Sequence, residues 1–169
     1  MVTPACEPAR VLVAGLGNIF LGDDGFGVEV ARRLAEMRLP EHVRVLDVGT
    51  RALHLAYEVR DGGYDALILV DAVSRGGRPG ALYVLEPDSA EGAAVVSPPA
   101  GGHALLGHDV LGLVRQLGGD VRRVRIVACE PSRIGPDAGL SSPVEAALDG
   151  AVELVLGLLS PAAGAAAEV

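Results

Sequence analysis

Short apolar runs alternate with helical stripes along this chain, and the alternation predicts an α/β fold. The first run predicts a strand over 10–15. The glycine-rich stretch Gly15-Leu16-Gly17-Asn18 follows, and then a helix whose Phe26, Val30, Leu34 and Met37 share one face. Pro40 breaks that pattern, and 43–47 reads as a second strand. Residues 50–59 read as a short helix with Thr50 as N-cap, ended by Asp61-Gly62-Gly63. The run ALILV at 66–70 has the character of a strand covered on both faces, and it delivers Asp71 at its carboxyl end.

Turn residues at 74–80 lead into a strand over 81–86, placed to pair antiparallel after so short a connection. Residues 87–102 are rich in Pro, Gly, Ala and Ser and have the length of a functional loop. A helix over 104–117 would carry Leu106, Val110, Leu113 and Leu117 on one stripe. A strand over 121–129, a polar loop over 130–142 and a helix over 143–159 with Pro143 in its first turn complete the pattern. The fold expected is a three-layer α/β/α sandwich: about five strands in a mostly parallel twisted sheet, one of them antiparallel, with helices on both faces. It forms one domain over 10–159, between tails at 1–9 and 160–169.

Composition narrows the chemistry. The 169 residues are half apolar, enough for one sizeable core, and the net charge of -8 argues against a nucleic-acid partner. Every Lys-or-Arg position is Arg, which removes lysine Schiff-base and P-loop chemistry. Cys6 and Cys129 do not make a disulfide framework, Cys129 reading as a buried small hydrophobe. No apolar run approaches a membrane span and the N-terminus lacks signal-peptide character, so a cytoplasmic protein with no membrane association is expected.

Three candidate groups fall where the chain leaves the sheet or enters a helix. Asp24, with Asp23 beside it, lies in the first βα loop; Asp71 ends the third strand; His103 precedes the helix near 104. Open α/β sheets bind ligands at the carboxyl ends of their strands, and two carboxylates with one imidazole suit a divalent metal such as Zn or Ni. Each residue has a plainer reading. One of Asp23 and Asp24 would cap the next helix, with Asp23 the structural partner and Asp24 the ligand; Asp71 would be an ordinary turn carboxylate; His103 would pack or cap. His108 lies about 200° around the helix from Leu106 and should face solvent. His42 and His54 have polar surroundings. Asn18 would stabilise the loop locally.

A competing site is a nucleotide pocket. Gly15-Leu16-Gly17 after a strand, with Asp47 at the end of the next, imitates half of a dinucleotide fingerprint. The fingerprint opens its helix at once, whereas residues 18–24 intervene here with acidic charge. Serine-hydrolase elbow and zincin motifs are absent from the sequence.

The blocks Gly15-x-Gly17-Asn18-x-x-x-x-Asp23-Asp24-Gly25-x-Gly27, Val70-Asp71-Ala72, His103 six residues before Asp109-Val110-Leu111, Glu130-Pro131, and Gly139-Leu140-Ser141-x-Pro143-Val144 resemble the hydrogenase maturation endopeptidases. The likeness runs from about residue 11 to 158. It implies an aspartic-type endopeptidase that trims the C-terminal extension from a nickel-iron hydrogenase large-subunit precursor. It also implies that Asp24, Asp71 and His103 contact nickel already installed in that precursor, a site that Zn or Cd would also occupy. One position departs: Leu106 stands where the family commonly has Gly, with Gly107 next, so His108 is the fallback ligand. The loops 87–102 and 130–142 are the expected contacts with the precursor; the likeness does not specify an oligomeric state. The other classes held open are a nucleotide-binding module using Gly15, Gly17 and Asp47, and a non-catalytic interaction protein.

Overall fold

The computed structural model describes residues 8–87 and 107–160, the side chains of 107–109 excepted. Five strands form one sheet in the order β2-β1-β3-β5-β4. These are β1 (Val11–Leu16), β2 (Val43–Gly49), β3 (Ala66–Ala72), β4 (Leu82–Leu85) and β5 (Arg123–Cys129). The β1–β2, β1–β3 and β3–β5 pairs are parallel, and β4 is antiparallel to β5. The expected antiparallel strand is therefore present, at the sheet edge and paired with a strand far downstream rather than with the one before it.

Alternation along the strands sends side chains to two cores. Leu12, Ala14, Leu16, Leu67 and Leu69 pack with helices α2 (Ala52–Gly62) and α3 (Gly107–Gln116) on one face. Val13, Ile68 and Val70 pack on the other with α1 (Phe26–Ala35), α4 (Ser142–Ala146) and α5 (Leu148–Leu159). Each fully buried Leu or Phe contributes about 1.5–3 kcal/mol relative to an exposed one. The three-layer sandwich expected from the pattern is the fold observed.

Several details differ from expectation. Phe26, Val30 and Leu34 are fully buried, but α1 stops at Ala35 and Met37 lies beyond it, 43% exposed. Thr50 does not cap α2: the N-cap is Arg51, and no side chain bonds the helix end there. Gly63 closes α2 in the left-handed conformation, at φ 62°. The last helical stretch is two helices broken at Ala147, with Pro143 in the first turn of α4 as expected. Leu106, the tip of the expected stripe, lies outside the described residues, as do most of the 87–102 loop and of both expected tails; Val110 is buried and Leu113 and Leu117 pack beside it.

Candidate active site

The order β2-β1-β3 puts the topological switch point between β1 and β3, because α1 and α2 leave to opposite faces. Pairing between β1 and β3 ends at Gly15–Val70, while β1 stays paired to β2 through Leu16–Gly49. A crevice thus opens beyond Val70, and the next residue on that side is Asp71. Strand β3 continues past Val70, with Asp71 paired to Ala128 and Ala72 to Cys129. Asp71 shares its sheet face with Leu67 and Leu69, the face covered by α2 and α3. It is 4% exposed, and its Oδ1 accepts the Ala72 N–H at 2.9 Å.

Asp24 enters from β1. After Leu16 the chain turns at Gly17, whose φ of 121° and whose closeness to the Asp24 carbonyl, 1.7 Å from where a Cβ would stand, leave no room for another residue. Asp23–Gly25 forms a 3₁₀ turn running straight into α1. Asp24 is 6% exposed, and its Oδ2 accepts the Asn18 N–H at 2.8 Å. Burial pushes its pKa up from the ordinary value, and the Asn18 bond offsets only part of that.

Asp23 plays a different part from the one the sequence suggested. Neither it nor Asp24 caps α1, whose N-cap is Gly25 with no side-chain bond. The Asp23 carboxylate is fully buried and accepts four hydrogen bonds from the far loop, residues 131–141: Ser132 N–H at 2.8 Å, Arg133 N–H at 2.9 Å, Ser141 N–H at 2.6 Å and Ser141 Oγ–H at 2.8 Å. Burial alone would raise its pKa, but these four bonds outweigh it and hold the group below the ordinary range.

Glu130, at the end of β5, was not singled out as a site residue. Its signal is the one that marked Asp71, an acid directly after an apolar strand. It is buried, and it accepts the Arg75 and Gly76 N–H groups at 2.9 and 3.2 Å and the Tyr83 hydroxyl at 3.2 Å. Its pKa is also lowered: burial opposes, and the backbone bonds from Arg75, Gly77 and Gly76 prevail. Asp23 and Glu130 therefore fasten the loops that follow β5 and β3.

This arrangement predicts an acid limit. A carboxylate whose folded pKa is depressed stabilises the fold above its unfolded value, and that contribution disappears as pH falls through the folded value. Melting temperature is expected to drop steeply below the ordinary values of 3.8 for Asp23 and 4.5 for Glu130. The slope should be shallower in Glu130→Gln; identical slopes in calorimetric scans from pH 5 downward would contradict the assignment.

The sequence placed His103 near Asp24 and Asp71; it lies outside the described residues, as does the side chain of His108. Among the described residues no group of three or more His, Cys, Asp or Glu is placed to hold a metal. The backbone nevertheless orients α3. Gly119, just beyond its C-terminus, lies against Arg60 near the end of α2, a Cβ there falling 3.4 Å from the Arg60 Cα. Both helices thus run antiparallel to the parallel strands, and α3 begins at their carboxyl edge, where Asp71 lies one residue from the end of β3.

The nucleotide alternative loses its donors. The Gly17, Asn18, Phe20, Leu21, Gly22, Asp23 and Gly25 amides are all bonded within the protein. A phosphate-binding turn needs such amides turned outward. Asp47 lies beside Arg32, Nε to Oδ2 at 3.4 Å. Cys129 is fully buried, with its thiol pushed up to about 12 by burial, and so is no nucleophile at neutral pH. Beside the Asp24 turn lies a groove of about 510 Å³ lined by Phe20, Gly22, Glu29, Leu140 and Leu148, with Phe20 71% exposed. No described helix is long and apolar enough to cross a membrane.

Comparison with known proteins agrees with this geometry. The hydrogenase maturation protease family model matches residues 28–158. The hydrogenase 2 maturation protease of Escherichia coli is 34% identical over 152 residues, covering 89% of this chain and 90% of that protein. The hydrogenase expression/formation protein HupD of Rhodobacter capsulatus is 35% identical over 85% of this chain and 67% of its own length. Among solved structures, the hydrogenase maturating endopeptidase HybD from E. coli superposes with a TM-score of 0.75 at 33% identity, covering 89% of this chain and 91% of that one. The resemblance carried by the glycine-aspartate loop is thus matched along most of the chain and in the fold, and the chain belongs to the hydrogenase maturation protease family and is a peptidase.

Proposed function

We propose that this peptidase removes the C-terminal extension of a nickel-iron hydrogenase large-subunit precursor after nickel insertion, with Asp24, Asp71 and His103 contacting the precursor's nickel. The observation that carries the reading is that Asp24, in the turn after β1, and Asp71, one residue from the end of the neighbouring parallel strand β3, are both buried at the carboxyl edge of the sheet. Burial makes ionised Asp24 costly, and a divalent cation delivered by the substrate would offset that cost. Two carboxylates and an imidazole are donors that a borderline divalent ion accepts, leaving positions for ligands of the precursor itself.

The start of α3 at the same edge supports His103, four residues upstream of Gly107, as the third contact. The rim built from residues 130–142 would take the precursor chain beside the scissile bond. The reaction would take place in the cytoplasm, the compartment expected from the sequence.

The test compares nickel-loaded with nickel-free precursor and reads the products by mass spectrometry. A single cut near the C-terminus is expected in the loaded form alone, and it should be lost in Asp71→Ala and His103→Ala. Equal cleavage of both precursors would exclude nickel recognition, and wild-type cleavage by both variants would exclude the site.

A further inference from the structure

We propose that Asp23 is a positioning residue for the hydrolytic site, holding Asp24 in place through the loop that it clasps. The inference rests on the assignment of Asp24 to that site. All four donors to Asp23 lie more than 100 residues away in sequence, so the carboxylate is a tertiary fastening and not a local turn or cap. The backbone repeats the fastening: Gly22 N–H donates to the Asp137 carbonyl at 2.6 Å and Asp23 N–H to the Arg133 carbonyl at 3.1 Å.

Little slack separates Asp23 from Asp24. The two are consecutive in a 3₁₀ turn, the Asp24 carbonyl is wedged against Gly17, and the Asp24 side chain accepts the Asn18 N–H. Movement at Asp23 is therefore transmitted to the Asp24 carboxylate as movement of one rigid turn. The bonds also define the informative substitution. Oδ2 accepts three of the donors and Oδ1 accepts only the Ser141 N–H. In Asp23→Asn the amide oxygen can replace Oδ2, but its NH₂ then confronts the Ser141 N–H, donor against donor.

The experiment uses the full chain in three variants: Asp23→Asn, Ser141→Ala, and Val59→Ala, a buried residue of α2 in the opposite core that serves as a control for general destabilisation. Processing of nickel-loaded precursor gives kcat and KM, and hydrogen exchange reads the Asn18 amide. For Asp23→Asn, kcat is expected to fall about 10- to 100-fold with KM within about 3-fold, the size of effect that a displacement near 1 Å produces. Asn18 exchange should accelerate, while Val59→Ala changes neither readout well below its melting temperature.

Processing by Asp23→Asn no worse than by Val59→Ala, or an Asn18 amide as protected as in wild type, would overturn the proposal. Should Asp23→Asn not fold, Ser141→Ala decides on the same two readouts, with a smaller loss of kcat and faster Asn18 exchange expected and wild-type values overturning it. If wild-type protein leaves the precursor uncut, the functional reading fails by itself, and Asn18 exchange still decides whether the clasp governs the Asp24 turn.

Discussion

Asp24→Asn is expected to abolish precursor processing while leaving the protein as stable as wild type or more so. The substitution keeps the shape of the side chain and an oxygen to accept the Asn18 N–H, so the turn retains its hydrogen bond. What it removes is a charge in a buried place. Because burial raises the folded-state pKa above 3.8, the folded protein holds this proton to higher pH than the unfolded chain does. Stability therefore declines as pH rises from 3.8 through the folded value and stays at the lower level at neutral pH. The variant escapes that loss. Its melting temperature should equal or exceed wild type at pH 7, and any advantage should vanish below the ordinary carboxylate value. Processing should fall more than about 100-fold, since even the outer partner of a metal ligand is worth 10- to 100-fold. A variant several degrees less stable at pH 7, or one that still processes precursor at a tenth of the wild-type rate, would contradict the role given to Asp24. Loss of activity with gain of stability is the pattern of a residue kept for chemistry against the preference of the fold.

How much of this was legible before the coordinates depends on how local each cause is. The run at 66–70 reads as a strand because both its faces are covered, and Asp71 stands out because that run delivers it to the carboxyl edge of the sheet, where ligands bind. Asp24 is visible by another signal, a pair of adjacent acids in the first βα loop. The sheet order is not, because the partner of β4 is chosen by tertiary packing some forty residues downstream. Capping was the least legible feature. Asp23 and Thr50 occupy positions where an N-cap would be expected, yet a 3₁₀ turn starting from Gly22 at φ 65° shifts the beginning of α1 to Phe26, and α2 begins two residues after Thr50. Asp23 then serves donors that no window of sequence contains. Glu130 carries the same local signal as Asp71, but its structural role is not legible because its donors come from the loop after β3. The break at Ala147 has no marker, as that residue keeps helical angles.

Gly27→Ala should be strongly damaging for a single-methyl change, because the first turn of α1 lies directly on the sheet backbone. A Cβ there would stand 2.1 Å from the Val70 carbonyl oxygen and 2.4 Å from that of Leu16. Gly15 faces the same contact from the other side, where an added Cβ would stand 2.2 Å from the Gly27 carbonyl oxygen, so the helix lies almost directly on the backbone of the two strands. Both obstacles are backbone, and neither can rotate away. Helix propensity argues in the opposite direction, favouring Ala over Gly by about 1 kcal/mol. Overpacking ordinarily costs about 1–3 kcal/mol, and two immovable backbone obstacles put this case at the upper end, so the net effect is destabilising by about 2 kcal/mol. In a chain of this length that corresponds to a fall in melting temperature of roughly 4–8 °C. The consequence does not stop at stability. Val70 immediately precedes Asp71, and Leu16 begins the turn that carries Asp24, so relieving the clash means moving one or both carboxylates. Processing measured well below the melting temperature should therefore fall in Gly27→Ala but not in Val59→Ala, whose cavity lies in the opposite core. Calorimetry and processing assays on the two variants give the comparison, and a Gly27→Ala protein as stable as wild type would show that helix α1 does not lie against the sheet as described.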